Sequence, residues 1–228
     1  MFGATSPEAA LQQLAAYHKE GRTELAEVMA SEMTEQLLYR KDRDDADQGI
    51  LVQGLRILAG ILNTRSKFKR ARATISLLHK QRNRLGKAIG HDFAQAAEDY
   101  RLAGCIHANA QKTGAAKKAF KRCEKLMPNH IAAALECAEL CGKTKLLTKL
   151  VRSAGPVILS NGVYILEIEG RPPADAQRIA NILGADEKAS IEAQIIAIEA
   201  GEQAKNARLQ VAMDSLKPKH DYYTYSTN

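Results

Sequence analysis

The chain has 228 residues, 45% apolar and 26% charged, with a net charge of +7. That length suits one elongated domain or two small ones with a substantial core, but aromatics are only 5% and tryptophan is absent, so alanine, leucine and isoleucine must fill the interior. The six prolines and long stretches without turn signals exclude an all-β protein, and no stretch approaches the roughly 18 uncharged apolar residues of a membrane span.

The opening residues MFGATSPEAALQQLAAYHKEG show neither a basic leader nor a sustained apolar run, so the expected compartment is the cytoplasm. Cys105, Cys123, Cys137 and Cys141 are expected there as reduced thiols. In chain order, a first helix pair carries Leu14 and Tyr17 on one stripe and Ala26, Ala30 and Met33 on the next, joined by GRTELA, Gly21 to Ala26. Next, DRDDADQG, Asp42 to Gly49, has the alternate carboxylates of a calcium loop. Its glycine is misplaced and no glutamate closes it, so a solvated connector that caps the next helix is the better account.

At 45 residues from the first set, Leu55, Leu58, Ala59 and Leu62 precede Ala71, Ile75 and Leu78, with the turn SKFKRA, Ser66 to Ala71. After a further 45, Tyr100, Ala103, Gly104 and His107 precede Ala116, Phe120 and Cys123, with the turn QKTGAA, Gln111 to Ala116. Each set forms one apolar stripe of a helix. Small Gly104 and Ala116 allow close helix axes, and Pro128 stops the last helix because it lacks a backbone N–H.

The third of these units resembles the tetratricopeptide repeat, whose large residue, Leu-Gly, Tyr, Ala, Phe and Pro recur at these spacings, with Ala103 and His107 in place of the usual Leu and Tyr. A 45-residue period exceeds the family's about 34, which puts extra residues in lengthened helices or in the connectors near KDRDDADQG and LGKAIGHD. The resemblance implies a right-handed α-solenoid of helical hairpins that binds a protein or peptide on its curved surface, as a non-enzymatic adaptor, scaffold, chaperone or assembly factor. It also implies that first helices line the concave groove, which makes outward-facing Gln13, Gln53, Arg56 and Arg101 partner-binding candidates. The groove positions Glu98, Arg101, Leu102 and Cys105 do not assemble the lysine and asparagine clamp with which some family members grip a C-terminal carboxylate.

Beyond Pro128 the period shortens. Residues 1–130 hold three hairpins, and 131–184 shorter degenerate ones. In that second part, GKTKLL (Gly142 to Leu147) joins a helix near 131–141 to another near 144–153, and Gly170 to Pro173 make a further turn. The segment 163–169 has the β-branched apolar character of a strand, although its context favours helix. Residues 185–217 are expected to form a capping helix, begun by Asp186 and carrying Ile191, Ile195, Ile198, Leu209, Met213 and Leu216 on one side. Residues 218–228, with Tyr222, Tyr223 and Tyr225, are expected as a disordered tail.

Charge is unevenly placed. Residues 1–62 carry ten acidic and six basic side chains, whereas 64–91 carry nine basic and no acidic ones. Lys69, Arg72, Lys80, Arg84 and Lys87 point away from Phe68, Ala71, Ile75 and Leu78 on helical spacing and form a basic strip. A solvated helix face, a surface for an acidic protein partner, and a nucleic-acid or lipid surface all fit that strip. RNA or DNA binding is the alternative function, although Phe68 and Phe120 fall at core positions rather than among the cations.

Catalytic chemistry finds little support. Cys105, His107, Cys123, Cys137 and Cys141 include good zinc ligands, but they lack paired Cys-x-x-Cys spacing and coincide with packing positions. The histidines have no nucleophile or carboxylate at a recognisable spacing, and the phosphate-loop, dinucleotide, Gly-x-Ser-x-Gly and His-Glu-x-x-His motifs are absent. The pattern implies no enzyme, cofactor or metal site.

Overall fold

The structure is a computed structural model, and it describes residues 6–128, 130–150, 178–179, 181–183, 206–211 and 213. The chain divides into two compact units, Met1–Leu150 and Val151–Asn228. Helix is the only regular secondary structure among the described residues.

Seven helices follow one another in the first unit: α1 (Pro7–Lys19), α2 (Thr23–Tyr39), α3 (Asp45–Thr64), α4 (Phe68–Ile89), α5 (Phe93–Asn109), α6 (Thr113–Leu126) and α7 (Ile131–Cys141). Residues 145–150 are helical as well. Each helix packs on its neighbours in sequence, and α1 also meets α3, α3 meets α5 and α5 meets α7.

The odd-numbered helices begin on side-chain caps. Ser6, Asp44, Asp92 and His130 accept from the amides of Ala9, Asp47, Gln95 and Ala133, which satisfies one orphan N–H at each start. The starts of α2, α4 and α6 lack such a cap. They follow a reversal of the chain that is built three times over. Gly21, Ser66 and Gln111, each 45 residues from the last, take φ values of 74°, 56° and 57°. The next amide in each case, of Arg22, Lys67 and Lys112, donates back to the carbonyl of Tyr17, Leu62 and His107 at 2.9, 2.8 and 2.8 Å. This is the left-handed helix stop that favours glycine, and the second and third copies hold it with serine and glutamine.

Side-chain size is traded across the hairpins. Leu14, Ala59 and Gly104 shrink along the first helices while the aligned Ala30, Ile75 and Phe120 grow along the second, and all six are buried. In the third hairpin the exchange is direct, since a Cβ on Gly104 would lie 2.6 Å from the Phe120 ring. Ala26, Ala71 and Ala116 are fully buried, each early in the second helix of its hairpin. Cys123 and Cys137 are buried around Phe120, with Cys105 and Cys141 packed against that cluster.

The extra residues of the period are unequally used. Between α2 and α3 they form a connector, where Asp44 caps α3 and Asp47 meets Arg40 at 2.8 Å. After α3 they lengthen a helix, so that Leu85 to Ile89 of LGKAIGHD is helical and only Gly90 to Asp92 connects.

In the second unit, Ile179 and Leu183 are buried, whereas Leu209 and Met213 are 54% and 62% exposed. Residues 206–211 are helical. The expected features at 163–169, at 185–205 and at 218–228 lie outside the described residues.

Candidate functional site

Three clusters of charge join one hairpin to the next. Asp99 of α5 is completely buried and accepts from Arg56 of α3 at 2.6 Å and from Arg82 of α4. Glu27 of α2 takes Lys67 at 2.8 Å, Arg70 at 2.7 Å and Arg65 at 3.1 Å from the start of α4 and the turn before it. Burial pushes the Glu27 carboxyl up, but the Lys67 hydrogen bond and the three cations outweigh it and hold its pKa below the ordinary value. Arg101 of α5 bridges Glu98 and Glu136, and His130 meets Glu98 at 2.6 Å. The His130 hydrogen bond, with help from Arg101 and against burial, lowers the Glu98 pKa to about 2.

These contacts change the standing of two sequence candidates. Arg56 and Arg101 lie on first helices, but each reaches across to the next first helix, so their guanidinium groups serve the packing of the hairpins. Gln13 is exposed and donates to Tyr17 Oη at 2.8 Å, and Gln53 is exposed.

One open cleft of about 1180 Å³ brings several candidates together. It forms because α4 outruns α3. Gln48, near the start of α3, donates to both the carbonyl and the side-chain oxygen of Gln81 at 3.1 Å, and α4 continues for two further turns beyond Gln81 to Ile89. The chain then reverses at Gly90, with φ of 98°, and seats the His91 ring on Gly86, where a Cβ would lie 2.3 Å from Nδ1. Gln53 and Arg56 form one wall of the cleft, Lys80 and Arg84 another, and Phe93 and Gln95 the third.

His79 and Tyr100 lie together in its lining. His79 stacks on Tyr100 with ring centroids 4.3 Å apart, and Arg122 lies 5.5 Å over the other aromatic partner, Tyr100. Burial pushes the His79 pKa down; Asp99 opposes this, while Arg122, Arg82 and His107 add to it. Burial, with Arg72 nearby, likewise lowers His107, whose Nδ1 is buried without a partner among the described residues.

Lys69, Arg72, Lys80, Arg84 and Lys87 are all exposed on α4. Among the described residues no carboxylate lies within ion-pair distance of any of them. From Lys69 to Lys87 the strip runs along about 27 Å of helix. Lys80 and Arg84 enter the cleft wall, Lys87 follows at its end, and Lys69 and Arg72 stand at the far end of the helix.

Two further residues escaped the sequence pattern. Ile89 and Phe93 flank the Gly90 turn and are 63% and 60% exposed, and Phe93 stacks on His91 with centroids 6.1 Å apart. An apolar residue on each side of a glycine-histidine-aspartate turn is the signal that could have found them.

The cysteines are free. Burial raises the Cys123 thiol to about 12 and Cys137 to about 11. Cys105 rises as well, through burial and through Glu136, to which its Sγ donates at 3.1 Å. Such thiols are poor nucleophiles and poor metal ligands. Among the described residues no three histidine, cysteine or carboxylate side chains stand together as a metal site, and no helix is long and apolar enough to cross a membrane.

No family model, curated protein or solved structure matches the chain.

Proposed function

We propose that this is a non-enzymatic interaction module, a right-handed solenoid of tetratricopeptide-like hairpins that serves as a scaffold, adaptor or chaperone by binding an acidic protein segment. The observation that carries this is the row of five exposed cations on one face of α4 that meet no carboxylate among the described residues, two of them in the wall of an open cleft. Unpaired surface cations beside a concavity attract and orient an acidic partner. The thrice-repeated turn supports a repeat architecture, in which stacked hairpins expose extended binding surfaces. Four free thiols with protonated character suit a reducing compartment such as the cytoplasm.

Binding of RNA or DNA is the second reading, favoured by the exposed Phe93–His91 stack beside the cations. Affinity capture from extract, with and without nuclease treatment, using the native chain and a Lys80→Glu, Arg84→Glu, Lys87→Glu variant, separates the two. The proposal expects acidic proteins to be retained by the native chain and lost by the variant. Retention of nucleic acid alone, abolished by nuclease, would contradict it.

A further inference from the structure

We infer that the segment bound in the α3–α4–α5 cleft is acidic and carries a large apolar side chain that seats on Ile89 and Phe93, an inference that rests on the protein-binding reading of the surface. The cationic half of the match is set by α4. Its sequence, Phe68 to Ile89, contains no aspartate or glutamate, and Arg82, the cation nearest the core, is already matched by Asp99. Among the described residues Lys80, Arg84 and Lys87 meet no carboxylate, and the negative charge they call for is supplied by a partner.

The apolar half is set by the turn. Ile89 and Phe93 stand more than half exposed at the two helix ends that meet there. They are held in place, because Gly90 fixes the reversal, His91 is seated on Gly86 and Asp92 caps α5 at 2.9 Å. Large apolar side chains presented by a rigid turn lose little freedom when covered, which is the condition for an anchor residue. By helical rise Arg84 and Lys80 precede Ile89 by about 7 and 13 Å along the α4 axis, on other sides of the helix, and all three line the one cleft. An acidic segment with one apolar anchor therefore meets both halves by lying along the cleft.

Nucleic acid fits this end of the cleft less well. One face of Phe93 is stacked on His91. Tyr100, the other aromatic, is engaged by His79 and Arg122. Phe93 is thus one exposed platform, whereas a nucleic acid strand is held by several on which successive bases stack.

Fluorescence anisotropy with the full chain tests the inference, using three labelled probes: a glutamate–serine peptide with two adjacent leucines, the same peptide with serines in place of the leucines, and oligouridine. The leucine peptide is expected to bind most tightly. An Ile89→Ser, Phe93→Ser variant, whose changed residues are exposed, is expected to weaken the leucine peptide about tenfold and leave the serine peptide unchanged. A Lys80→Glu, Arg84→Glu variant is expected to weaken both, and circular dichroism melts check that both variants stay folded. Equal binding of the two peptides, unaffected by the Ile89 and Phe93 changes, would overturn the apolar anchor while leaving the acidic-partner reading in place. Binding of oligouridine more tightly than either peptide, or of neither peptide at all, would overturn both.

Discussion

The basic run between Arg65 and Lys87 contains two populations of the same residue types. Arg65, Lys67, Arg70 and Arg82 reach carboxylates that are almost or wholly buried on neighbouring helices. Lys69, Arg72, Lys80, Arg84 and Lys87 reach none among the described residues. The first group neutralises charge that the fold has removed from water, and losing one member leaves the other stranded. The second group keeps its hydration and costs the fold nothing, so its charge is available to a partner. A charge run read as one feature hides this division.

Breaking the paired group has the largest expected effect. Asp99→Ala leaves Arg56 and Arg82 without their carboxylate and is expected to cost about 3–5 kcal/mol, read by chemical denaturation. Next, Gly104→Ala drives a methyl into the rigid Phe120 ring and is expected to cost about 1–3 kcal/mol. The change Gly54→Ala meets the flexible end of Met33 at 2.4 Å and Thr34 Cγ2 at 3.1 Å, and is expected to cost less. Glu27→Gln is expected to cost about 1 kcal/mol, because the cations that cover Glu27 are themselves partly exposed and screened. In the opposite direction, Ser66→Gly and Gln111→Gly relieve a left-handed conformation and are expected to stabilise by about 0.5–1 kcal/mol each. Lower stability in either glycine variant would contradict the turn geometry.

Acid sharpens the same contrast. His79 and His107 are partly buried, and burial holds their pKa values below 6.5, so the unfolded chain takes up protons first and stability falls as pH drops below 6.5. Glu98 and Glu27 have folded pKa values below the ordinary 4.5, so their contribution is present above 4.5 and is lost as pH falls further, for Glu98 toward about 2. Denaturant midpoints measured from pH 7.5 to pH 3 are expected to fall in two stages. His79→Gln is expected to flatten the upper one.

Much of this fold is legible in the spacing. The 45-residue period places Ala26, Ala71 and Ala116, and the turns before them, because a helix hairpin needs small residues where it closes and a reversal at one fixed position. Helical periodicity also separates Lys69, Arg72, Lys80, Arg84 and Lys87 from the apolar face. It gives the direction in which a side chain points but not what waits there, which is why Arg56 and Arg101 read as groove residues. Their carboxylates lie on helices 35 or more positions away in sequence. Ile89 and Phe93 escaped for a related reason, since each continues an apolar pattern and only the length of α4 relative to α3 leaves them uncovered.

Arg82 and Arg84 stand two positions apart on one helix and belong to different populations, which makes them the most direct test. Thermal unfolding of Arg82→Glu and Arg84→Glu should be measured side by side. Reversing Arg82 sets a second carboxylate against buried Asp99, and a loss of about 3 kcal/mol lowers Tm by about 6–12 °C. Reversing Arg84 is expected to leave Tm unchanged. Equal losses in the two variants, or a larger one at Arg84, would contradict the division of the basic run into a structural half and a binding half.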